Sequence, residues 1–445
     1  MLLRLDVSGS SHRQEIRAGV TTFMTMAYII AVNPQILGDA GMPRDGVLAA
    51  TCLAAALGSL FMGLLTNYPF ALAPGMGLNA FFAYTVVVGM GLRWQEALGA
   101  VLLSGLVCVL LTLTRARQAV FAGIPLGLKY ALSVGIGLFI ALIGLQKAGI
   151  IVPNPATGSL GLIAERYFTD PELGRLLPPG ASPEGVALAL GGLVLTGALV
   201  VLRLRGALLW GILAVTAAAI PLGIVDWASL RVFGLPSGLG ATFLALELPH
   251  VFSLDIMTIV LTLAFVDLFD TVGTLVGVSS KAGMLDAEGR LPQAGRALFA
   301  DSMGTVFGAL LGTSNTTTYV ESAAGVSEGG RTGWTCVTVA GLFLVALFLA
   351  PLAASVPAAA TAPALVIVGV FMMEPVRHID FSDYAEAIPA FLAIVVMPLA
   401  YSIAEGVVAG ILAYVLLRVL TGRGRELSLT MWVLAVLFLL RFLVA

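Results

Sequence analysis

The sequence predicts an all-α polytopic integral membrane protein with fourteen transmembrane segments arranged as a 7+7 inverted repeat. Three observations carry that prediction. The 445 residues are 59% hydrophobic and 11% charged, with a mean hydropathy of +1.02, whereas soluble domains carry about 25% charged residues. Apolar runs of spanning length recur along the chain, and positive charges collect in alternate connections. Two stretches far apart in the sequence also match one another.

A span needs roughly twenty apolar residues. That ruler places regular helices near 17–38, 48–66, 95–114, 128–146, 184–203, 206–225, 252–277, 293–311, 332–350, 358–373, 386–402 and 404–420. The first run follows Arg13, Glu15 and Arg17 and has no small-residue cleavage site behind it, so it reads as a retained span. Two further segments, 69–88 and 312–328, are membrane-embedded but irregular, and they become the third and tenth spans. With the N-terminus inside, roughly sixteen of the 23 Lys and Arg fall on cytoplasmic segments. Among them are Arg115, Arg117, Arg203, Arg205, Lys281, Arg290, Arg296, Arg377, Arg418, Arg423 and Arg425. The longest loop, 147–184, then faces outward and turns at Pro153, Pro155, Pro178 and Pro179. A last apolar run, Met431–Leu443, is short and carries Arg441, which suits an interfacial helix in a C-terminal tail.

The repeat appears where Leu57-Gly58-Ser59-Leu60-Phe61 aligns with Met303-Gly304-Thr305-Val306-Phe307. The same offset lays Phe23-Met24-Thr25 on Phe269-Asp270-Thr271. Seven spans per half is an odd number, so the halves have opposite topology, the arrangement of many secondary transporters with a midplane substrate site.

The irregular segments explain themselves. Pro69, Pro74, Gly75 and Gly77 cannot make a continuous helix. The expectation is an extended piece up to Gly75 and a half-helix from about Leu78, with Asn79 near its positive end. The run Thr313-Ser314-Asn315-Thr316-Thr317-Thr318 also disfavours helix. It predicts an extended piece and a half-helix starting near Tyr319, with Glu321 in the first turn. Broken backbone persists at membrane depth only when buried in protein or lining a cavity. Two half-helices converging with free backbone N–H groups make a polar site.

An ionisable group at bilayer depth costs roughly 2.5–3.5 kcal/mol and faces a cavity or pathway. Asp267, Asp270, Asp301 and Glu321 all fall between Phe265 and Gly333. Asp270, followed by Thr271, Gly273 and Thr274, is best placed for a cavity. Asp267 and Asp301, with Thr274 and Thr317, are expected to be supporting polar contacts between packed helices. Burial favours the protonated form of a carboxyl group, which lets Glu321 or Asp270 exchange a proton near neutral pH. Carboxylates accept from N–H groups, Asn79 both donates and accepts, and an aromatic residue such as Phe269 can stack on a planar ring.

Several classes are excluded. Cys52, Cys108 and Cys336 lie in apolar runs and fit no zinc spacing or disulfide framework. His12, His250 and His378 are far apart, so neither a metal site nor a cofactor is expected. The net charge of −2 gives no reason to expect a nucleic-acid partner. Gly75-x-Gly77-x-x-Ala80 matches a dinucleotide fingerprint only formally, without a βαβ context. Asn315-Thr316-Thr317 would be buried, so it is no glycosylation acceptor. A membrane-embedded enzyme using paired aspartates, or a carrier of small anions, remains as an alternative. The anion reading requires a basic residue at the site, where acids are in excess.

The runs TTFMTMAY from Thr21, APGMGLNAFF, FVDLFDTVGT and TSNTTTYVESAAGVSEGGRTG resemble the Azg-like adenine–guanine–hypoxanthine permeases. These form a branch of the nucleobase–cation symporter-2 superfamily, and the resemblance spans about Glu15 to Arg425. It implies a uracil-permease-like fold with a core domain (17–115 and 252–350) and a gate domain (127–226 and 357–421). These lie between a cytoplasmic tail (1–16) and a C-terminal tail (422–445). It implies purine uptake by proton symport across the cell membrane, both termini cytoplasmic, and a homodimer through the gate domain. The superfamily's acidic residue with glycine three positions on is matched by Asp270 and Gly273, and its half-helix Glu or Gln by Glu321. Relatives place glycine three residues after that second position. Here Gly325 follows Glu321 by four, so Ser322 stays a second candidate. Asn79 matches an asparagine of the third segment. Thr25, Phe269 and Thr271 complete the expected substrate-facing set. Xanthine or uracil in place of these purines remains a variant of the same reading.

Overall fold

The computed structural model describes residues 3, 5, 10–114, 123–154, 159–164, 166–175, 177, 182–227, 231–248, 254–286 and 291–444. The side chains of 166, 171, 172, 254, 255, 269, 272, 276, 280, 281 and 440–444 are excepted. Among them, nine helices are long and apolar enough to cross a membrane. In chain order the helices begin with α1 (His12–Met26), α2 (Ile29–Asp39) and α3 (Arg44–Thr66). Strand β1 (Leu72–Pro74) leads into α4 (Met76–Ala80), which continues as a π-helix over Phe81–Gly89. Then come α5 (Trp94–Leu113), α6 (Leu126–Lys147), a hairpin of β2 (Ile151–Asn154) and β3 (Ser159–Leu162), and two one-turn helices, α7 (Arg166–Thr169) and α8 (Pro171–Gly174). Next are α9 (Pro183–Val201), α10 (Ala207–Ala219), α11 (Leu254–Ala282), α12 (Ala294–Leu311), β4 (Thr316–Thr318) and α13 (Ser322–Ser327). The last are α14 (Gly333–Ala346), α15 (Ala350–Ala354), α16 (Ala358–Met372), α17 (Tyr384–Leu399), α18 (Ile403–Leu420) and α19 (Leu429–Val444).

The helices pack as two sets. In the first, α3 packs on α12 and α14, α1 on α14, and α5 on α11 and α12. In the second, α6 packs on α16 and α17, α17 on α18, and α9 on α10 and α16. The sets meet where α4 and α11 touch α6, where α2 touches α16, and where the π-helix touches α18. Small residues permit close approach at such crossings, and a Cβ at Gly77 would collide with Ile136 of α6.

The elements depart from the sequence expectations at four places. The first span is two helices, α1 and α2, because the chain tightens at Ala27 and Tyr28 into i→i−3 bonds (Ile30 N to Ala27 O and Ala31 N to Tyr28 O, both 3.1 Å). The first half-helix starts at Met76, not Leu78, because Gly75 is already its extended N-cap at φ −72° and ψ 125°. The second starts at Ser322, so Glu321 caps it and does not lie in its first turn. Tyr319 still belongs to the strand ladder there, its N–H bonding Ala71 O at 2.9 Å. The run at 332–350 ends α14 at Ala346 and passes through a 3-10 turn into α15. Gly312 closes α12 at φ +95°, a left-handed conformation that an L side chain resists. Helix α19 packs on α18, burying Met431 and Ala435.

Candidate functional site

Two broken segments meet at the centre of the first helix set. β1 and β4 pair antiparallel, with Leu72 opposite Thr318, Ala73 opposite Thr317 and Pro74 opposite Thr316. Both strands are fully buried. Several of their remaining backbone groups are satisfied from inside the protein, in keeping with what backbone at this depth requires. The Ser59 hydroxyl donates to Leu72 O (3.1 Å) and accepts from Leu72 N (2.9 Å). Thr305 Oγ1 donates to Thr316 O at 3.2 Å, and Gly75 N to Asn315 O at 2.9 Å.

Asp301 of α12 anchors this ribbon. Its carboxylate accepts from Thr318 N (2.9 Å), Thr318 Oγ1 (3.1 Å) and Thr271 Oγ1 of α11 (2.7 Å), and it is fully buried. Thr271 is spent on that contact, and Ser322 accepts from Ala71 N at 2.9 Å. Both are fully buried. Their hydroxyls bind the frame together and do not join the carboxylates described next.

At the ribbon's edge the geometry changes. Glu321 is half-buried, and its Oε1 accepts from Tyr28 OH at 2.7 Å, at the α1–α2 break. Asp270 is half-buried on α11, and its Oδ2 accepts from Thr317 Oγ1 at 3.1 Å. The two carboxyl groups are electrostatic neighbours, and Tyr28 and Tyr319 adjoin both. Tyr319 OH donates to Pro74 O at 2.5 Å, tying the first segment to the second. Thr25 Oγ1 donates to Thr22 O (2.8 Å) and lies 3.5 Å from Glu321 O. Beyond Asp270, one face of α11 stays partly open: Thr274 is half-buried, Gly273 and Gly277 are exposed, and nothing lies within 4 Å of where a Cβ on either glycine would stand.

The structure therefore brings Thr25, Asp270, Thr317 and Glu321 together. Asn79 is fully buried; its Oδ1 accepts from the Ser314 hydroxyl, and its Nδ2 has no acceptor among the described residues. Asp267 is fully buried one turn before Asp270. The Phe269 and Lys281 side chains lie outside what is described, as do residues Arg115, Arg117, Pro155, Pro178, Pro179, His250 and Arg290. Sequence reasoning missed Tyr28, Tyr319 and Ser314 as parts of the site. Tyr28 lies three residues after Thr25, a helical spacing that puts both on one face. Among the described residues no cluster of three or more metal-ligating side chains occurs, and the three cysteines are buried and form no disulfide.

A model of the Permease family matches residues 13–408. A relative in Methanocaldococcus jannaschii is 50% identical over 434 residues, 98% of this chain and 95% of that one. The guanine/hypoxanthine permease PbuG of Bacillus subtilis is 42% identical, over 99% of this chain and 98% of its own. The adenine permease AdeP of Escherichia coli is 41% identical, over 99% and 95%. Among solved structures, the transmembrane domain of a cyanobacterial bicarbonate transporter, BicA, matches with a TM-score of 0.65, covering 89% of this chain and 97% of that one. At 19% identity it speaks for the fold alone.

Proposed function

The chain belongs to the Permease family, and on that premise we propose that it imports purine nucleobases (adenine, guanine or hypoxanthine) by proton symport across the cell membrane. The observation that carries this reading is the pair of neighbouring half-buried carboxyl groups, Asp270 and Glu321, each held by a single hydroxyl. A purine presents ring N–H donors and ring-nitrogen acceptors. Carboxylates accept from the donors, and Asn79, with an unspent N–H, suits an acceptor. Tyr28 and Tyr319 are electrostatic neighbours of both acids, and the Tyr28 hydroxyl donates to Glu321. Asp270 and Glu321 bind the base, and one of them carries the coupled proton. Thr317 orients Asp270, Thr25 lies against the Glu321 backbone, Asp301, Asp267, Thr271 and Ser322 hold the frame, and Thr274 lines the approach along α11.

Fourteen segments in two inverted repeats suit this function, and the strand register supports them. The offset carrying Leu57 onto Met303 also carries Leu72 onto Thr318, and these two residues pair directly across the ribbon, as a two-fold axis between repeats demands. The first helix set is the core (17–115 and 252–350). The second is the gate (127–226 and 357–421), through which two copies associate. Both termini are cytoplasmic.

The test is uptake into proteoliposomes. Labelled adenine and hypoxanthine accumulate above empty vesicles under an inward proton gradient, a sodium gradient alone does not drive them, and sulfate does not compete. No accumulation of any purine would overturn the reading. Inhibition by sulfate or bicarbonate would favour an anion carrier on the same fold.

A further inference from the structure

At the membrane face where α2 and α6 both end, a polar seam crosses between the two helix sets. Asp39, the last residue of α2, is bound by Lys147, the last residue of α6, at 2.7 Å. Lys147 is only 14% exposed, and its Nζ also donates to Gln35 O at 3.3 Å. From the first set, Tyr84 OH donates to Asp39 Oδ2 at 2.8 Å, and Gln35 accepts from Thr361 Oγ1 of α16 at 2.5 Å. From the second, Tyr401 OH donates to Gln146 Oε1 at 2.9 Å, its carbonyl accepts from Thr85 Oγ1 at 3.3 Å, and its ring meets Tyr84 edge-on at 5.8 Å. Tyr401 also holds a left-handed φ of 53°, strain that persists only where surrounding contacts fix it.

Asp39, Tyr84, Gln146, Lys147 and Tyr401 line a cleft of about 210 Å³. The face of α11 running from Asp270 to Gly277 is partly open, whereas at this end the two helix sets are tied together by these bonds. The ion pair Arg205–Glu328 also joins the two sets, but Arg205 is 60% exposed, and solvent screening leaves such a pair little strength. Arg44 stands 3.9 Å from Asp39 and is 64% exposed, so it is a weak competitor for the aspartate.

We propose that Asp39, Tyr84, Lys147 and Tyr401 form the gate on this face, closed here, and that substrate enters from this side only when the Asp39–Lys147 bridge parts. The proposal rests on the transporter reading for its purpose. Its mechanical content is separate: removing either charge unseals the cleft.

Ile143, one turn before Lys147 and 2% exposed, lines the cleft beneath the bridge. The native cysteines are all buried, so an Ile143→Cys variant reports on the gate with little background. Labelling by a membrane-impermeant maleimide, applied from this face to the full chain in vesicles, is expected to be slow. Lys147→Gln or Asp39→Asn should each raise its rate at least about 5-fold, and the exchange Asp39→Lys with Lys147→Asp should bring it back, as expected for a half-buried bridge whose partners are lost or restored. Unchanged labelling in both single variants overturns the gate. If the charge variants do not fold, Tyr401→Phe decides: a rise in labelling supports the gate, and no change overturns it. Because labelling needs no substrate, a chain that moves no purine but passes this test loses only its proposed cargo.

Discussion

Two kinds of buried acid sit within a few residues of one another here, and they are held in opposite ways. Asp301 is fully enclosed and accepts at least three hydrogen bonds, one of them from the strand backbone at Thr318. Asp270 and Glu321 are half-buried, and each accepts one hydroxyl from a side chain. A carboxylate with several donors is a fixed structural charge whose loss strands its partners. A carboxylate with fewer donors, such as Asp270 or Glu321, keeps acceptor capacity for something that comes and goes. Charge in the membrane is tolerated for both reasons, and the donor count separates them.

The sharpest way to break that comparison is to remove the structural acid. Asp301→Ala leaves the Thr318 N–H without an acceptor inside a buried strand, together with two buried hydroxyls. Each stranded group costs about 1–3 kcal/mol, so the expected loss is at least about 3 kcal/mol, read as a collapse of the monodisperse yield and of the thermal midpoint. Asp270→Asn and Glu321→Gln should do the converse. Stability should change by less than about 1 kcal/mol while purine uptake falls about 10–100-fold, the range for losing a hydrogen bond to a charged group. In whichever of the two variants removes the coupling group, the remaining uptake should lose its dependence on the proton gradient. If Asp270→Asn unfolds the protein as Asp301→Ala does, the distinction fails. Tyr28→Phe should be milder than either: it removes the hydroxyl from Glu321 but keeps the ring, so uptake falls about 5-fold with stability nearly intact.

Much of this was legible in the sequence, and what was not has physical reasons. Hydropathy located the helices because the bilayer demands a fixed apolar length. Two prolines and two glycines around Ala73 and Met76, and the Thr/Ser run after Gly312, announced the broken segments because their local preferences are strong. That the two segments pair with one another, Leu72 against Thr318, is a contact across the whole chain that no local preference encodes. The half-helix boundary slipped from Tyr319 to Ser322 for the same reason, since a strand bond to Ala71 competes with the first helical turn. The Thr and Gly residues that follow Asp270 set it apart from Asp301 in the sequence, but how many donors the fold brings to each is not encoded locally. Tyr28 hid in an apolar run and was found only once the α1–α2 break aimed it at Glu321.

The smallest expected effect tests the frame itself. Ser322 accepts from Ala71 N and is fully buried, so it is a link between the two broken segments. Ser322→Ala strands one backbone N–H and should cost about 1 kcal/mol. Because the half-helix carrying Glu321 begins at this residue, uptake should fall by no more than about 3-fold, with the order of preference among adenine, guanine and hypoxanthine unchanged. A changed order would move Ser322 from the frame to the site and transfer to it the position assigned to Glu321. Competition assays with the three bases against one labelled purine read that difference directly, since a residue that only supports the site scales all affinities together, whereas one that touches the base reorders them.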